Sequence, residues 1–203
     1  MHQPYYKNLY TGEYLLPWVL LHGTKDYYDM PYLLNEFDEI RQNFNLVPSL
    51  LLQLVDYENL DVKDSYREIF SKPAKELTEP EKVFMLVNFF NANWDNMIRP
   101  FPRYYELLRK RGFYYSRNDI EKIKGYFTVD DFRDIQILFF LSWIDPVFYE
   151  MFDNLKLLKK KGAGFTEDDK RLLEDVQRSI LKGIIPIHKE MAAKGKIELT
   201  TSP

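Results

Sequence analysis

Two short strand candidates lie about 150 residues apart in this chain, and most of the sequence between them has the periodicity of helix. The first is Phe44-Asn45-Leu46-Val47. The second, Gly195-Lys196-Ile197-Glu198-Leu199-Thr200, ends three residues from the last. Two strands this short do not bury a sheet face by themselves. Strand counting therefore predicts an α/β fold. The chain reads as a mostly helical fragment with about two strands, cut from a larger α/β protein.

The helices announce themselves by chemistry at their ends. Thr78, Thr128 and Thr166 each precede an acidic residue by three positions, the capping-box spacing, and each leads into apolar residues at helical intervals. Pro48 opens a helix through Leu50, Leu51 and Leu54. Periodicity predicts further helices over Thr24–Phe37, Pro102–Lys110 (stopped by Gly112) and Pro146–Lys161 (stopped by Gly162). Pro186 is expected to kink or interrupt the last long helix. Asp56 to Asp64 reads as a loop, and no repeat or break in composition divides the chain, so a single domain over 1–203 is expected.

Several function classes drop out. With 28 basic against 31 acidic side chains the net charge is −3, which does not suit a protein that lives on phosphate contacts, so nucleic acid is not expected as a partner. The longest apolar stretch, Ile135 to Ile144, is short of the ~18 residues of a membrane span. The first residues have neither the basic start nor the apolar core of a signal peptide, and cysteine is missing altogether. A cytoplasmic location fits. His2, His22 and His188 show no metal-ligand spacing, so no metal or cofactor is expected. Phosphate-binding glycine loops and Gly-x-Ser-x-Gly elbows are missing too. Asp130/Asp131 and Asp168/Asp169 are read as first-turn helix charges rather than acid/base dyads. The clusters Arg109-Lys110-Arg111 and Lys159-Lys160-Lys161 are read as solvated helix ends.

Two places carry chemistry. His2-Gln3-Pro4-Tyr5-Tyr6 is dense in hydrogen-bonding and stacking groups, with Trp18 and His22 following; a frayed terminus with incidental polarity is the plain alternative. Glu198 is the other. Alternation puts Ile197 and Leu199 on one strand face and Lys196, Glu198 and Thr200 on the other. Glu198 is then either a solvent carboxylate on an edge strand or an inward carboxylate in a barrel. The second arrangement is costly unless it serves a site. Aromatic side chains reach 16% of the chain; most should fill the core, leaving a few free to stack on flat ligands such as sugar rings.

In this order, His2-Gln3-Pro4 and Gly195-Lys196-Ile197-Glu198 resemble the first two signature regions of glycoside hydrolase family 57. Blocks between them are similar to members of the α-amylase and 4-α-glucanotransferase type: Leu16-Pro17-Trp18-Val19-Leu20-Leu21-His22, Phe44-Asn45-Leu46-Val47-Pro48-Ser49-Leu50 and Met97-Ile98-Arg99-Pro100. The resemblance implies an incomplete (β/α)7 catalytic barrel in which the two strands are parallel neighbours joined by a large helical crossover, with a helical insertion over roughly 56–194. It implies a retaining enzyme that hydrolyses or transfers α-1,4-glucan. His2, Gln3 and Glu198 carry over as substrate-binding residues, and Trp18 and Asn45 join them by position. The resemblance places the catalytic glutamate and aspartate beyond Pro203 and a first barrel strand before Met1, so the chain is expected to be inactive alone. The other class in view is a free-standing helical binding or interaction module without catalysis.

Overall fold

The computed structural model describes residues 3–58 and 62–202. The chain divides into two compact units. One comprises the residues up to Arg67 together with those from Asp175 onward, and the other is Glu68–Glu174.

The first unit opens with β1 (Glu13–Tyr14), α1 (Trp18–Lys25) and α2 (Asp29–Leu33), then β2 (Gln42–Asn45), α3 (Pro48–Tyr57) and β3 (Lys63–Asp64). The helix expected over Thr24–Phe37 is replaced by α1, α2 and a 3-10 turn at Leu34–Glu36. The backbone N–H groups of Asp26 and Tyr27 both bond the carbonyl of His22, which closes α1 and turns the chain. Pro48 stands in the first turn of α3, as its fixed φ favours. The Asp56–Asp64 stretch, expected as loop, contributes the end of α3 and the two residues of β3.

α4 (Ser65–Ser71) leads into the second unit, which is helical among the described residues. It holds α5 (Glu79–Asn88), α6 (Pro102–Arg111), α7 (Arg117–Ile123), α8 (Val129–Ser142), α9 (Val147–Met151) and α10 (Asp153–Lys161). α8 is its core. Residues Ile135 through Leu141 are buried on every side, with the Phe139 ring stacked on Phe89 at 4.7 Å. A helix apolar all round must be enclosed by others. The polar exception, Gln136, donates to the carbonyls of Ile69 (2.5 Å) and Lys72 (3.0 Å). The expected helix over Pro146–Lys161 is broken at Phe152, whose backbone is extended.

The capping boxes form where they were expected. Thr128 accepts from the backbone N–H of Asp131 at 3.1 Å, and its own N–H donates to the Asp131 carboxylate at 2.8 Å. Asp131 also holds Arg103 and Lys110, the latter at 2.7 Å. The Arg109-Lys110-Arg111 cluster is thus not simply a solvated end. Arg111 is buried, donates to the Leu86 carbonyl at 3.1 Å and lies against the rings of Phe90 and Tyr115.

α11 (Glu167–Ala193) begins in the second unit and ends in the first, and β4 (Ile197–Thr200) follows it. α11 runs unbroken through Pro186. Buried Ile184, Ile187, His188 and Met191 hold this segment in place around the proline. Its end is a Schellman turn: Gly195 sits at φ 66°, its N–H donates to Ala192, and the Lys196 N–H donates to Met191. Only glycine takes that φ without strain. The turn aims the chain into β4.

Among the described residues there are two small sheets, β1–β3 and β2–β4, both parallel. β4 pairs with β2 in the register Gln42–Ile197, Asn43–Glu198, Phe44–Leu199, Asn45–Thr200. The expected parallel neighbours are therefore present, joined by the helical stretch. The strand runs Gln42–Asn45 rather than Phe44–Val47 because Val47 already serves as the N-cap of α3, although the Leu46 N–H still donates to Thr200. Phe44 and Ile197 face a small core with Leu34, Ile187 and Met191.

Candidate functional site

Alternation and register sort the β2–β4 sheet into two faces. Phe44, Ile197 and Leu199 form the apolar one. Asn43, Asn45, Glu198 and Thr200 form the other. The polar face is solvated: Asn43, Glu198 and Thr200 are exposed and Asn45 is half-buried. Thr200 Oγ1 donates to Asn43 Oδ1 at 3.0 Å, and Asn45 Nδ2 donates to Ser202 Oγ at 3.2 Å. The result is a row of amide, hydroxyl and carboxylate groups along two neighbouring strands. On the apolar side, Leu46 and Leu199 border a pocket of about 200 Å³ closed by Leu50, Leu54 and Ile184.

The segment after His2 is tied to the start of α3, immediately past the C-terminal end of β2. Ser49 Oγ donates to the Gln3 carbonyl at 3.0 Å. Gln53 Nε2 donates to the Pro4 carbonyl at 3.0 Å, and the Tyr6 N–H donates to Gln53 Oε1 at 2.8 Å. The Gln3 side chain is doubly engaged: its Nε2 donates to Tyr27 Oη at 2.7 Å, and Tyr6 Oη donates to its Oε1 at 2.8 Å. Burial pushes the Tyr27 phenol well above its ordinary range, with the Gln3 hydrogen bond opposing that rise. Tyr27 is thus a neutral hydroxyl at any ordinary pH.

Trp18 is the first residue of α1 and half-buried. Its ring lies 6.2 Å from that of His22, which lies 6.1 Å from Tyr27. His22 Nδ1 pairs with Asp26.

Asn45 and Glu198 are therefore brought together on one sheet face, and Gln3 and Trp18 gather around Tyr27 and His22. His2 lies outside the described residues. Tyr27, Ser49, Gln53 and Asn43 were not among the expected site residues, although Asn43 stands two positions before Asn45 and shares its face by simple alternation. Among the described residues no group of three or more His, Cys, Asp or Glu side chains could hold a metal ion. No helix is long and apolar enough to cross a membrane among those residues.

A second polar cluster belongs to the same unit. Tyr57 Oη donates to the buried Asp64 at 2.6 Å, and burial raises the Asp64 pKa against that bond. Asp56 accepts from Lys7 and Tyr14, both at 2.8 Å. Burial works to raise the Asp56 pKa, but the two hydrogen bonds outweigh it and the carboxyl lies below its ordinary range. This cluster fastens β1, α3 and β3 together.

Compared with known proteins, residues 1–203 match the family described as Glycosyl hydrolase family 57. No curated protein matches the chain. No solved structure matches it either.

Proposed function

The chain belongs to glycosyl hydrolase family 57, which makes it glycoside hydrolase in type with a carbohydrate substrate, and from that premise we propose that it carries the first substrate-binding part of a (β/α)7 barrel acting on α-1,4-glucan. The polar face of the β2–β4 sheet carries the reading. Asn43, Asn45, Glu198 and Thr200 present donors and acceptors suited to sugar hydroxyls, and Gln3 is anchored just past the end of β2. Barrel sites form at that end of the strands. On this reading the two units are one catalytic domain, and the Glu68–Glu174 unit is most of the helical insertion between two barrel strands. His2, Gln3, Trp18, Asn45 and Glu198 then bind and orient the reacting sugar.

The chemistry needs more than this face offers. Retaining glycosidases set two carboxyl groups ~5–5.5 Å apart across the scissile bond. Of the four residues on the polar face, Glu198 is the one carboxylate. It serves as a binding group, and the nucleophile and acid/base come from residues outside this sequence. The chain alone therefore neither hydrolyses nor transfers glucan.

The test has two arms. Titrated with maltoheptaose, the chain should show weak saturable binding, weakened about tenfold by Glu198→Gln through loss of a charged hydrogen bond. Assayed for glucan cleavage and disproportionation, it should stay at the blank, while the chain extended at both ends by its flanking coding sequence should turn over. Turnover by the 203 residues alone, or unchanged binding in Glu198→Gln, overturns the assignment.

A further inference from the structure

The Gln3 side chain is held at both ends of its amide by tyrosines from two parts of the first unit. Tyr27 lies in the turn between α1 and α2, and its Oη accepts from Gln3 Nε2 at 2.7 Å. Tyr6, three positions along the N-terminal segment, donates from Oη to Gln3 Oε1 at 2.8 Å. A glutamine amide carries two N–H donors and two acceptor lone pairs. The tyrosines engage one of each, which leaves one donor and one acceptor on a half-buried residue. A neutral group with one of each suits a hydroxyl, which answers both, better than a carboxylate or an ammonium ion.

Neither tyrosine depends on Gln3 for its own place. The Tyr27 N–H donates to the His22 carbonyl at 3.1 Å, and its ring lies beside that of His22. The Tyr6 N–H donates to Oε1 of the buried Gln53 at 2.8 Å, and the Tyr6 carbonyl accepts from the Leu15 N–H at 3.0 Å. Only 4% of Tyr27 is exposed, so a ligand does not reach it. Whatever this hydroxyl contributes to binding passes through Gln3. Burial raises the phenol pKa of both tyrosines, and both hydroxyls stay protonated across the neutral range.

The energetic reason for such a clamp is conformational. A glutamine side chain samples many rotamers, and ordering it at the moment of binding costs affinity. Two hydroxyls fixed by their own backbones meet that cost before a ligand arrives.

We propose that Tyr27 and Tyr6 are positioning residues that hold the Gln3 amide in place to bind, an inference that rests on the reading above of Gln3 as a sugar-binding residue. Tyr27 acts from the turn after α1 and Tyr6 from the N-terminal segment, so the amide is fixed by two elements at once.

A double-mutant cycle on the 203-residue chain, read by maltoheptaose titration, tests this role. Tyr27→Phe and Tyr6→Phe each remove one hydroxyl and keep the ring. Each should weaken binding about two- to tenfold, the loss expected when one flexible side chain is left to be ordered on binding. Gln3→Ala should weaken it at least as much. In the Gln3→Ala background Tyr27→Phe should have no further effect, because its route to the sugar is gone. A hydroxyl that served the fold alone would cost the same in either background, and circular dichroism should show every variant folded. If the wild type binds and both phenylalanine variants bind equally well, the positioning role is overturned and the α-glucan reading stands. An additive loss in the double variant overturns it in the same way. Unchanged binding in Gln3→Ala overturns it too, and Glu198→Gln then decides the wider reading. No binding by the wild type overturns the α-glucan reading and this inference with it.

Discussion

His188 is held in its neutral form by what surrounds it. Its Nδ1–H donates to the Ile184 carbonyl at 2.8 Å, Phe44 meets its ring edge-on at 5.6 Å, and only 2% of the residue is exposed. Nε2 has no hydrogen-bond partner among the described residues, so a proton added there would be buried without an acceptor. Burial lowers the pKa from its ordinary 6.5, and the bond to Ile184 only partly opposes it. Below about pH 6.5 the unfolded chain therefore binds more protons at this position than the folded one, and stability falls as the pH drops from 7 toward 5. Asp64, whose pKa burial raises, works in the opposite sense above its unfolded value, so the comparison must be between variants. Urea unfolding of the wild type and His188→Leu across pH 5–7.5 should show the wild type losing more stability on acidification, by at most about 1.4 kcal/mol per pH unit. Parallel pH profiles would count against a buried neutral imidazole. The burial is not legible in the sequence, because one helix's periodicity does not say what covers this histidine.

At the scale of elements, local chemistry was legible and breaks were not. Thr78, Thr128 and Thr166 start helices as their spacing predicts, since a capping box is made within four residues. The expected helix over Thr24–Phe37 instead divides around Tyr27, a buried ring bonded to Gln3 some 24 residues earlier, which periodicity cannot register. Pro186 is the reverse case. Sequence reasoning expected a kink or interruption; the interruption does not occur, and α11 continues to Ala193 with buried residues on either side of the proline. The proline itself is exposed and still lacks an N–H for the carbonyl one turn back. Pro186→Ala should then raise the unfolding free energy by about 1–3 kcal/mol. A higher urea midpoint with an unchanged slope is the expected reading, and a lower midpoint would show that the helix depends on the proline.

Over the whole molecule, several large apolar side chains face solvent. Leu52 and Val55 on α3 are 61% and 52% exposed, and Leu9 and Leu15 are more open still. The β2–β4 sheet has two strands among the described residues, and such edges and apolar surfaces favour association. Light scattering of the purified chain should show mass rising with concentration, and the double change Leu52→Lys with Val55→Lys should return it toward the monomer. A monomer at every concentration would mean these surfaces are tolerated as they stand. By itself the sequence determined the α/β class, the threonine-capped helix starts, the alternation that sets Glu198 and Thr200 apart from Ile197 and Leu199, and the Gly-x-x-Glu block whose glycine ends α11. Each of these depends on φ preferences, caps or spacing within a few residues. Tertiary structure alone decided the register that sets Glu198 beside Asn43, the Tyr27–Gln3 bond, the burial of His188 and the division into two compact units. Those features arise from packing and hydrogen bonds between residues as much as 155 positions apart, and no local rule encodes which partner wins.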